Sequence, residues 1–388
     1  MHYRKNKGIH LFGLILGVAA IVLIGLFSVY MLWERSPAVK PAATPEPSAA
    51  PTAPSLAPGE EPLEEGEAVL TERQDGLVTI LLAGNDNGNG NTDTIMVARL
   101  DTENHRLDVV SLPRDTIINY DWDVRKLNTV YGGSLNTGGN GVDSLVYNVR
   151  RLIGFDVDCY AVVDLDVFVE AVDLMGGVTM DLPAAVDYED WSQDIWLHLQ
   201  PGVQTLDGRT AMGLCRYREG YITGDLGRID MQHAFLKAAA EQFISLGKIP
   251  NAAKVVRMAA QRTVTDLTAA NMAWLARQLL ACDSDSVNFY TMPTTTEVLN
   301  GYSYAVPQLW PWLDMINARL NPYSQVISSE DLDMIYKEAY GYAATRDMAG
   351  EWYFETAETP EPEVTVIEDP APTEAPPPES ETQNETGG

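Results

Sequence analysis

Two aspartates frame a short loop of glycine and asparagine between two apolar segments. Asp86 follows the apolar run 77–83, and Asp93 precedes the run 94–100. Glycine and asparagine let the backbone turn sharply, so the loop is able to bring both carboxylates to one point. Hard oxygen ligands in that arrangement suit Mg²⁺, which proteins hold through one or two carboxylates plus substrate phosphates. The alternative is a plain turn in which Asp93 ends a strand.

Four arginines fall where they would face one crevice. Arg114 lies just past the end of a predicted strand, and ligands bind at the carboxyl ends of strands in α/β sheets. Arg216 and Arg218 alternate in the segment 211–218, which we predict to be a strand with both side chains on one face. Arg228 begins a predicted helix, whose first amides attract anions. The alternative for each arginine is an ion pair with one of the many acids of this chain.

Lys126 and Asn128 add a further pair of hydrogen-bond donors. Arginine forks beside a two-carboxylate metal site are typical of phosphate or pyrophosphate recognition. Other chemistries lack their motifs, because the sequence has no phosphate-binding GxxxxGK[ST] loop and no GxSxG nucleophile turn. The five histidines do not pair at metal-ligand spacing, so hydrolysis by a Ser–His or Cys–His pair is unsupported.

The chain is strongly acidic, with a formal net charge of −29 over 388 residues. Such a charge argues against nucleic acid as a partner. The acid is uneven, since residues 351–388 carry eleven acidic and no basic side chains. Three widely spaced cysteines exclude a disulfide scaffold, and their pairing stays open. They are Cys159, Cys215 and Cys282.

The termini differ in composition from the middle of the chain. Residues 8–33 carry no formal charge and are long enough to cross a bilayer as a helix. The basic residues within 1–7 place the N-terminal end of that helix in the cytoplasm. A cleaved signal peptide is the alternative, although its apolar region is usually shorter. Residues 34–75 are rich in proline, alanine and glutamate and predict an extended extracytoplasmic spacer, and residues 351–388 predict a disordered acidic tail.

Residues 76–350 alternate strand and helix patterns and predict one α/β domain. We expect a central mixed β-sheet flanked by helices in α-β-α layers, with a hairpin at the polar turn 101–106. The predicted strands cover 77–83, 94–100, 107–112, 159–163 and 211–218. The predicted helices cover 143–153, 165–175, about twenty residues from 228, and 269–280 with Thr268 as N-cap.

The order of these motifs resembles the LytR-CpsA-Psr family, most strongly over residues 76–245. The matching segments are GND (84–86), DT (93–94), SLPRD (111–115), RKLN with YGG (125–133), RYR (216–218) and DLGRIDMQ (225–232). The resemblance implies a Gram-positive-type cell membrane protein with an extracytoplasmic catalytic domain. Such a protein transfers an anionic glycopolymer, of teichoic-acid or capsule type, from an undecaprenyl-pyrophosphate carrier to peptidoglycan with Mg²⁺.

The resemblance also implies roles for individual residues. Asp86 and Asp93 would hold the metal, and Asp86 is a candidate base for the acceptor hydroxyl. Arg114 would lie against the pyrophosphate and stabilise charge as the bond breaks. The remaining pyrophosphate-binding residues would be Lys126, Arg216, Arg218, Arg228 and Gln232.

Three positions depart from the family pattern. Arginines usual in the family are replaced by Gly88, by Asn91 with Thr92, and by Met231. Fewer arginines favour a second hypothesis, a non-catalytic module that binds a polyprenyl lipid or wall polymer. A third is a polyprenyl-pyrophosphate pyrophosphatase. A polyprenyl chain also needs an apolar tunnel, for which helices 143–153 and 165–175 are candidate walls, although core packing explains their apolar faces equally well.

Overall fold

The computed structural model describes residues 35–40, 72–85, 90–191, 195–218, 221, 225–246, 263–338 and 341–349. The strands are β1 Leu77–Asn85, β2 Thr92–Asp101, β3 Arg106–Leu112, β4 Cys159–Asp164, β5 Val178–Leu182, β6 Val186–Asp190, β7 Ile195–Leu199, β8 Gly202–Leu206, β9 Val264–Thr265, β10 Val287–Thr291, β11 Thr294–Leu299, β12 Tyr302–Pro307, β13 Ile335–Glu338 and β14 Gly341–Ala344. The helices are α1 Val130–Asn136, α2 Gly141–Ile153, α3 Leu165–Leu174, α4 Gly208–Arg216, α5 Asp225–Leu246, α6 Ala269–Ala281 and α7 Leu309–Met315.

A six-stranded mixed sheet lies at the centre, in the order β10-β3-β2-β1-β4-β9. β1, β2 and β3 are antiparallel neighbours, whereas β4 runs parallel to β1 and β10 runs parallel to β3. The predicted hairpin between β2 and β3 is confirmed by the pairing of Asp101 with Arg106. The mixed sheet of the predicted α/β fold is therefore present.

Helices cover both faces of this sheet. Alternating side chains of β1 enter different core clusters, Ile80 on one face and Leu81 on the other. Helices α3 to α6 supply the first cluster, and α1, α2 and α7 supply the second. The layered arrangement is as expected. Because α2 and α3 lie on opposite faces of the sheet, they do not form two walls of one tunnel, and core packing accounts for their apolar faces.

Local capping explains where the predicted helices begin. Asn140 caps α2 by accepting a hydrogen bond from the backbone N–H of Val142. Thr268 is the N-cap of α6, as predicted, and it forms a reciprocal capping box with Asn271. α5 begins at Asp225, three residues before the predicted start.

The predicted strand over 211–218 is wrong, because the segment forms helix α4 and ends it at Arg216. Asp207 caps this helix by accepting a hydrogen bond from the backbone N–H of Thr210. The alanine, methionine and leucine that follow are good helix formers, and the cap fixes their conformation. The alternation that placed Arg216 and Arg218 on one strand face therefore does not apply.

The segment 35–40 lies against the folded domain. The side-chain amide of Asn271 donates hydrogen bonds to the carbonyls of Arg35 and Ser36, each at 3.1 Å. The backbone N–H of Lys40 donates to Oδ1 of Asp158 at 2.9 Å. Three residues of the predicted spacer, Arg35, Ser36 and Lys40, thus contact α6 or the residue that precedes β4.

The membrane-spanning prediction concerns residues 8–33, which lie outside the described residues. No helix within the described parts of the chain is long and apolar enough to cross a bilayer. The segment 351–388, predicted to be an acidic tail, also lies outside the described residues.

The three cysteines are free and buried. Burial raises the pKa of Cys215 to about 12 and that of Cys282 to about 11, and raises the pKa of Cys159 well above its ordinary value. A thiol with so high a pKa is a poor nucleophile at neutral pH. Cys215 lies on helix α4 and belongs to the core cluster on that face of the sheet.

Asp158 is a buried carboxylate that joins several segments. It pairs with Arg73, and it accepts hydrogen bonds from the backbone N–H and the hydroxyl of Thr79 at 2.7 and 2.9 Å. Removing one partner of a buried ion pair leaves the other charge without compensation. We therefore expect Asp158→Asn to lower the free energy of unfolding by about 3 kcal/mol, as measured by urea denaturation.

Asp156→Asn is the control for this substitution, because Asp156 is partly exposed and pairs with Arg150 at 3.5 Å. Its loss should cost under about 1 kcal/mol. Equal effects of the two substitutions would contradict the assignment of a structural role to Asp158.

Candidate functional site

Asp93 lies at an irregularity in the central sheet. Gly84 of β1 pairs with Thr94 of β2, but the next residue, Asn85, pairs with Thr92. Asp93 is therefore the extra residue of a β-bulge. A bulge bends its strand and turns the extra side chain away from the ladder, and bulges are frequent beside active sites.

The carboxylate of Asp93 is paired with Arg114. Nη1 of Arg114 lies 3.0 Å from Oδ1 of Asp93, and its Nε lies 3.8 Å from Oδ1 of Asp115. Arg114 is two residues past the end of β3, so the pair joins the ends of two neighbouring strands. The structure thus brings together two of the predicted site residues, Asp93 and Arg114. Arg114 also forms an ion pair with an acid of the chain, which was the alternative considered for it.

Two further arginines act on the same carboxylate. Burial raises the pKa of Asp93 above its ordinary value, whereas Arg114, Arg228 and Arg218 each lower it. Arg228 is 1% exposed, although a guanidinium is almost never fully buried unless it is compensated. Three guanidinium groups therefore act on one buried carboxylate.

The arginines reach the site from helices rather than from a strand. Arg216 is the last residue of α4 and is buried, and Arg218 follows two residues later. Arg228 lies in the first turns of α5. Arg218 and Arg228 both act on Asp93, and the packing of α4 against α5 brings their two segments together. Arg216 does not act on that carboxylate among the interactions described, so the structure does not place it beside Asp93.

Gln232 connects these two helices. Its side-chain amide donates a hydrogen bond to the carbonyl of Cys215 at 3.0 Å, and Gln232 is buried. This contact fixes the end of α4, where Arg216 lies, against α5. The described position of Gln232 is thus one that orients the arginines.

Lys126 and Asn128 lie on the other side of Arg114. Nζ of Lys126 is 3.2 Å from Oδ1 of Asp115 and 5.4 Å from the centre of the Tyr304 ring. The backbone N–H of Asn128 donates to the carbonyl of Arg114 at 3.0 Å. Asp115 thus lies between two cations, and the segment around Lys126 holds the backbone of Arg114.

Asp86 and Gly88 lie outside the described residues, so the metal and base roles predicted for Asp86 stay predictions. Met231, where the resemblance leads us to expect an arginine, is buried in the core cluster that contains α5. Its side chain therefore serves packing rather than phosphate binding.

The oxygen donors around Asp93 are compatible with a magnesium site whose remaining ligands come from substrate phosphates. Asp93 offers a buried carboxylate, and the hydroxyls of Thr92 and Thr94 beside it are buried without a hydrogen-bond partner among the described residues. No cluster of three histidine, cysteine or acidic side chains suited to a metal occurs in the described parts of the chain. The residues fit a Mg²⁺ ion that takes further oxygen ligands from phosphate groups.

Sequence reasoning missed a hydrogen bond between Ser111 and His233. Oγ of Ser111 in β3 lies 2.8 Å from Nε2 of His233 in α5, and the imidazole ring stacks near Phe289 at 5.4 Å between ring centres. The two residues are 122 positions apart, and no local pattern signals their contact. The bond ties the strand that leads to Arg114 to the helix that carries Arg228.

Sequence reasoning also missed Trp122, whose ring packs on α1. A Cβ atom on Gly133 would lie 2.5 Å from the indole, and one on Gly90 would lie 3.0 Å from Cα of Gly132. The YGG motif therefore allows two close approaches, one by the indole and one by the loop that leads to Asp93. In the sequence, the two adjacent glycines of this motif were the one indication of close packing at this place.

The buried imidazole makes stability depend on pH. Burial lowers the pKa of His233 from 6.5 to about 4, so the folded protein resists protonation there. The unfolded chain takes up that proton below pH 6.5, so this contribution is complete above pH 6.5 and is lost as pH falls toward 4. We expect the free energy of unfolding to fall by up to about 3 kcal/mol through this group.

The measurement is urea denaturation at pH 7.5, 6, 5 and 4.5 for the wild type and for His233→Gln, which stays neutral. The variant should show a smaller loss of stability across this range. His105→Asn, in the exposed turn between β2 and β3, is the control. Its free energy of unfolding should change with pH as that of the wild type does. Parallel slopes for the wild type and His233→Gln would show that the imidazole is not held neutral.

The sequence model of the LytR_cpsA_psr family matches residues 55–316, which is more than half of the chain. The cell wall biosynthesis protein LcpA of Corynebacterium glutamicum is 34% identical over 252 residues, 58% of this chain and 47% of LcpA. The polyisoprenyl-teichoic acid–peptidoglycan teichoic acid transferase TagU of Oceanobacillus iheyensis is 24% identical over 269 residues, 68% of this chain and 76% of that protein. The TagV transferase of Bacillus subtilis is 27% identical over 179 residues, 46% of this chain and 45% of TagV. The chain thus spans about half the length of LcpA and TagV.

Solved structures show the same fold. The crystal structure of Bacillus subtilis TagV superimposes with a TM-score of 0.53 at 24% identity, covering 63% of this chain and 96% of that one. Protein gbs0355 of Streptococcus agalactiae superimposes with a TM-score of 0.54 at 19% identity, covering 66% and 93%. With its sequence match and this mixed α/β fold, the chain belongs to the LytR_cpsA_psr family.

Proposed function

We propose that this protein is a membrane-anchored extracytoplasmic phosphotransferase. It moves an anionic glycopolymer from an undecaprenyl-pyrophosphate carrier to a hydroxyl of peptidoglycan. The observation that carries the proposal is the site around Asp93, where Arg114, Arg218 and Arg228 act on one buried carboxylate. Such a site offers a pyrophosphate several charge-assisted hydrogen bonds in surroundings of low dielectric.

The proposed reaction needs electrostatic stabilisation more than a strong nucleophile. The acceptor hydroxyl oxygen forms a bond to the phosphorus that bears the polymer, and the bond from that phosphorus to the bridging oxygen breaks. The polyprenyl phosphate leaves with the electron pair, and the hydroxyl proton passes to a base, for which Asp86 is our candidate. Phosphoryl transfer of this kind depends on positioning and charge stabilisation, so no catalytic histidine is required.

The arginines have separate tasks in this scheme. Arg114 is held by Asp93 and by the backbone contact with Asn128, so it is oriented before substrate binds. It would stabilise the charge that develops on the leaving phosphate. Arg216, Arg218 and Arg228 would hold the other phosphate oxygens, with Lys126 at the rim beside Asp115.

We propose that Mg²⁺ binds at Asp93, with Asp86 as a second ligand. When bound, the ion would neutralise phosphate charge. The support is the buried carboxylate with its neighbouring hydroxyls. The relatives TagU and TagV are named as teichoic acid transferases, which supports the same reaction type for this chain.

A second candidate is a non-catalytic module that binds a polyprenyl lipid or wall polymer. The observation in its favour is Met231, which is buried in the core at a position where the family pattern has an arginine. A relative from Staphylococcus aureus, 27% identical over 192 residues, is named regulatory protein MsrR. The retained group of Arg114, Arg218 and Arg228 favours the enzyme.

The deciding experiment incubates the full chain in detergent with a polyprenyl-pyrophosphate glycan, a peptidoglycan acceptor and Mg²⁺. We expect polymer-linked peptidoglycan and released polyprenyl phosphate from the wild type. Arg114→Ala should lower the rate about 100-fold or more, because it removes a preorganised charge at the reacting phosphate. Arg150→Ala, on α2 and paired with Asp156, is the control and should keep the wild-type rate.

The outcomes separate the three hypotheses. Donor binding without phosphate release, equal in wild type and Arg114→Ala, would support the binding module and contradict the enzyme. Release of carrier phosphate with water as acceptor, and with no polymer on peptidoglycan, would identify a pyrophosphatase. Loss of transfer on chelation of Mg²⁺, restored by adding it back, is the expected metal dependence.

A further inference from the structure

A cavity of about 510 Å³, broadly open to solvent, lies at the start of α1. Its lining residues include Trp122, Asp121, Asp123, Asn91 and Asn136. None of these residues takes part in the proposed phosphate chemistry.

The indole in this cavity is fixed by its neighbours. The Tyr120 ring meets the Trp122 ring at 75° with 4.6 Å between their centres. The other contact is with Gly133, whose missing side chain leaves the space that the indole occupies. A half-buried indole held on two sides is a preorganised apolar platform, so little conformational entropy is lost when a ligand stacks on it.

Two segments of the cavity wall lead directly to residues of the proposed phosphate site. Asn91 in its wall is two residues from Asp93, and Thr129 in its wall follows Asn128, whose N–H binds the carbonyl of Arg114. The loop at Gly90 also packs on Gly132 of α1. The cavity wall and the proposed phosphate site therefore share two chain segments, the start of β2 and the residues before α1.

The lining has the chemistry that recognises a sugar. The apolar C–H face of a pyranose ring stacks on an aromatic ring, and its hydroxyls donate hydrogen bonds to carboxylates. Asparagine side chains supply both a donor and an acceptor, which match the N-acetyl group of an amino sugar. Aromatic, acidic and amide groups together indicate a glycan rather than a lipid or a phosphate.

Charge decides which glycan fits. Asp121 and Asp123 are both exposed at the cavity, and Asp121 lies 4.0 Å from the guanidinium of Arg125. Two carboxylates against one nearby cation repel a polyanion, so a phosphate-bearing polymer is disfavoured there. An uncharged strand of N-acetylated amino sugars meets no such penalty.

We infer that the Trp122 cavity is the acceptor subsite and binds a β-linked N-acetylhexosamine strand next to the reacting phosphate. This inference rests on the proposed function for its role but not for its binding chemistry. Trp122 stacks on one sugar ring, and Asp121 and Asp123 accept hydrogen bonds from its hydroxyls. The strand then directs one of its hydroxyls toward Arg114.

The test measures binding of a β-1,4-linked N-acetylglucosamine tetramer to the full chain in detergent by isothermal titration calorimetry. Trp122→Ala should weaken binding at least 10-fold. Trp310→Ala removes an exposed tryptophan on α7 and is the matched control, which should leave the affinity unchanged. Equal affinity of wild type and Trp122→Ala would overturn the inference.

A second variant guards against misfolding of Trp122→Ala. Asp121→Asn with Asp123→Asn changes two exposed carboxylates and should weaken tetramer binding about threefold while the protein stays folded. An oligomer of glycerol phosphate should bind at least about ten times more weakly than the tetramer. Tighter binding of that anion, dependent on Trp122, would assign the cavity to the donor and contradict the inference.

The transfer assay separates this inference from the proposed function. Trp122→Ala should raise the KM for the peptidoglycan acceptor and leave the KM for the lipid donor unchanged. Arg114→Ala should still bind the tetramer while it loses transfer. If the wild type transfers nothing but binds the tetramer through Trp122, the proposed function falls and the glycan subsite stands.

Discussion

The ion pair between Asp93 and Arg114 is the contact on which the site depends. A carboxylate buried at a β-bulge would be costly alone, and Arg114 at 3.0 Å offsets that cost. In return the carboxylate holds Arg114 in place, and Arg218 and Arg228 act on the same carboxylate. The arrangement of the proposed pyrophosphate site therefore depends on this one pair.

The rest of the fold brings these groups to one edge of the sheet. Ser111 and His233 tie β3 to α5, and Gln232 ties α5 to the end of α4. Each of these contacts lies one or two turns from an arginine of the site. Close packing at Gly90 and Gly133 completes the opposite side, where the indole of Trp122 borders the cavity. The positions of the charged groups are therefore fixed by neutral contacts.

The net charge of −29 does not decide what this protein binds. Much of the acid lies outside the described residues, in the segments predicted to be a spacer and a tail. Charges farther apart than about 8–10 Å are screened at physiological salt, so three guanidinium groups at short range outweigh the distant acids. In the proposed acceptor subsite, the carboxylates of Asp121 and Asp123 would disfavour a polyanion.

The sequence by itself determined the mixed α/β layers, the strands around Asp93 and Arg114, and the capping of α6, because each has a local signal in apolar periodicity or a cap. It also gave the family, through the order of short motifs. It could not give the bulge at Asp93, the helical state of 211–216, or the contacts of His233 and Trp122. Each of those features depends on residues far along the chain. The bulge depends on the register between two strands, the helix on its packing against other helices, and the two rings on contacts with distant residues. The tertiary structure alone decided them, since close packing of remote segments leaves no period in the sequence.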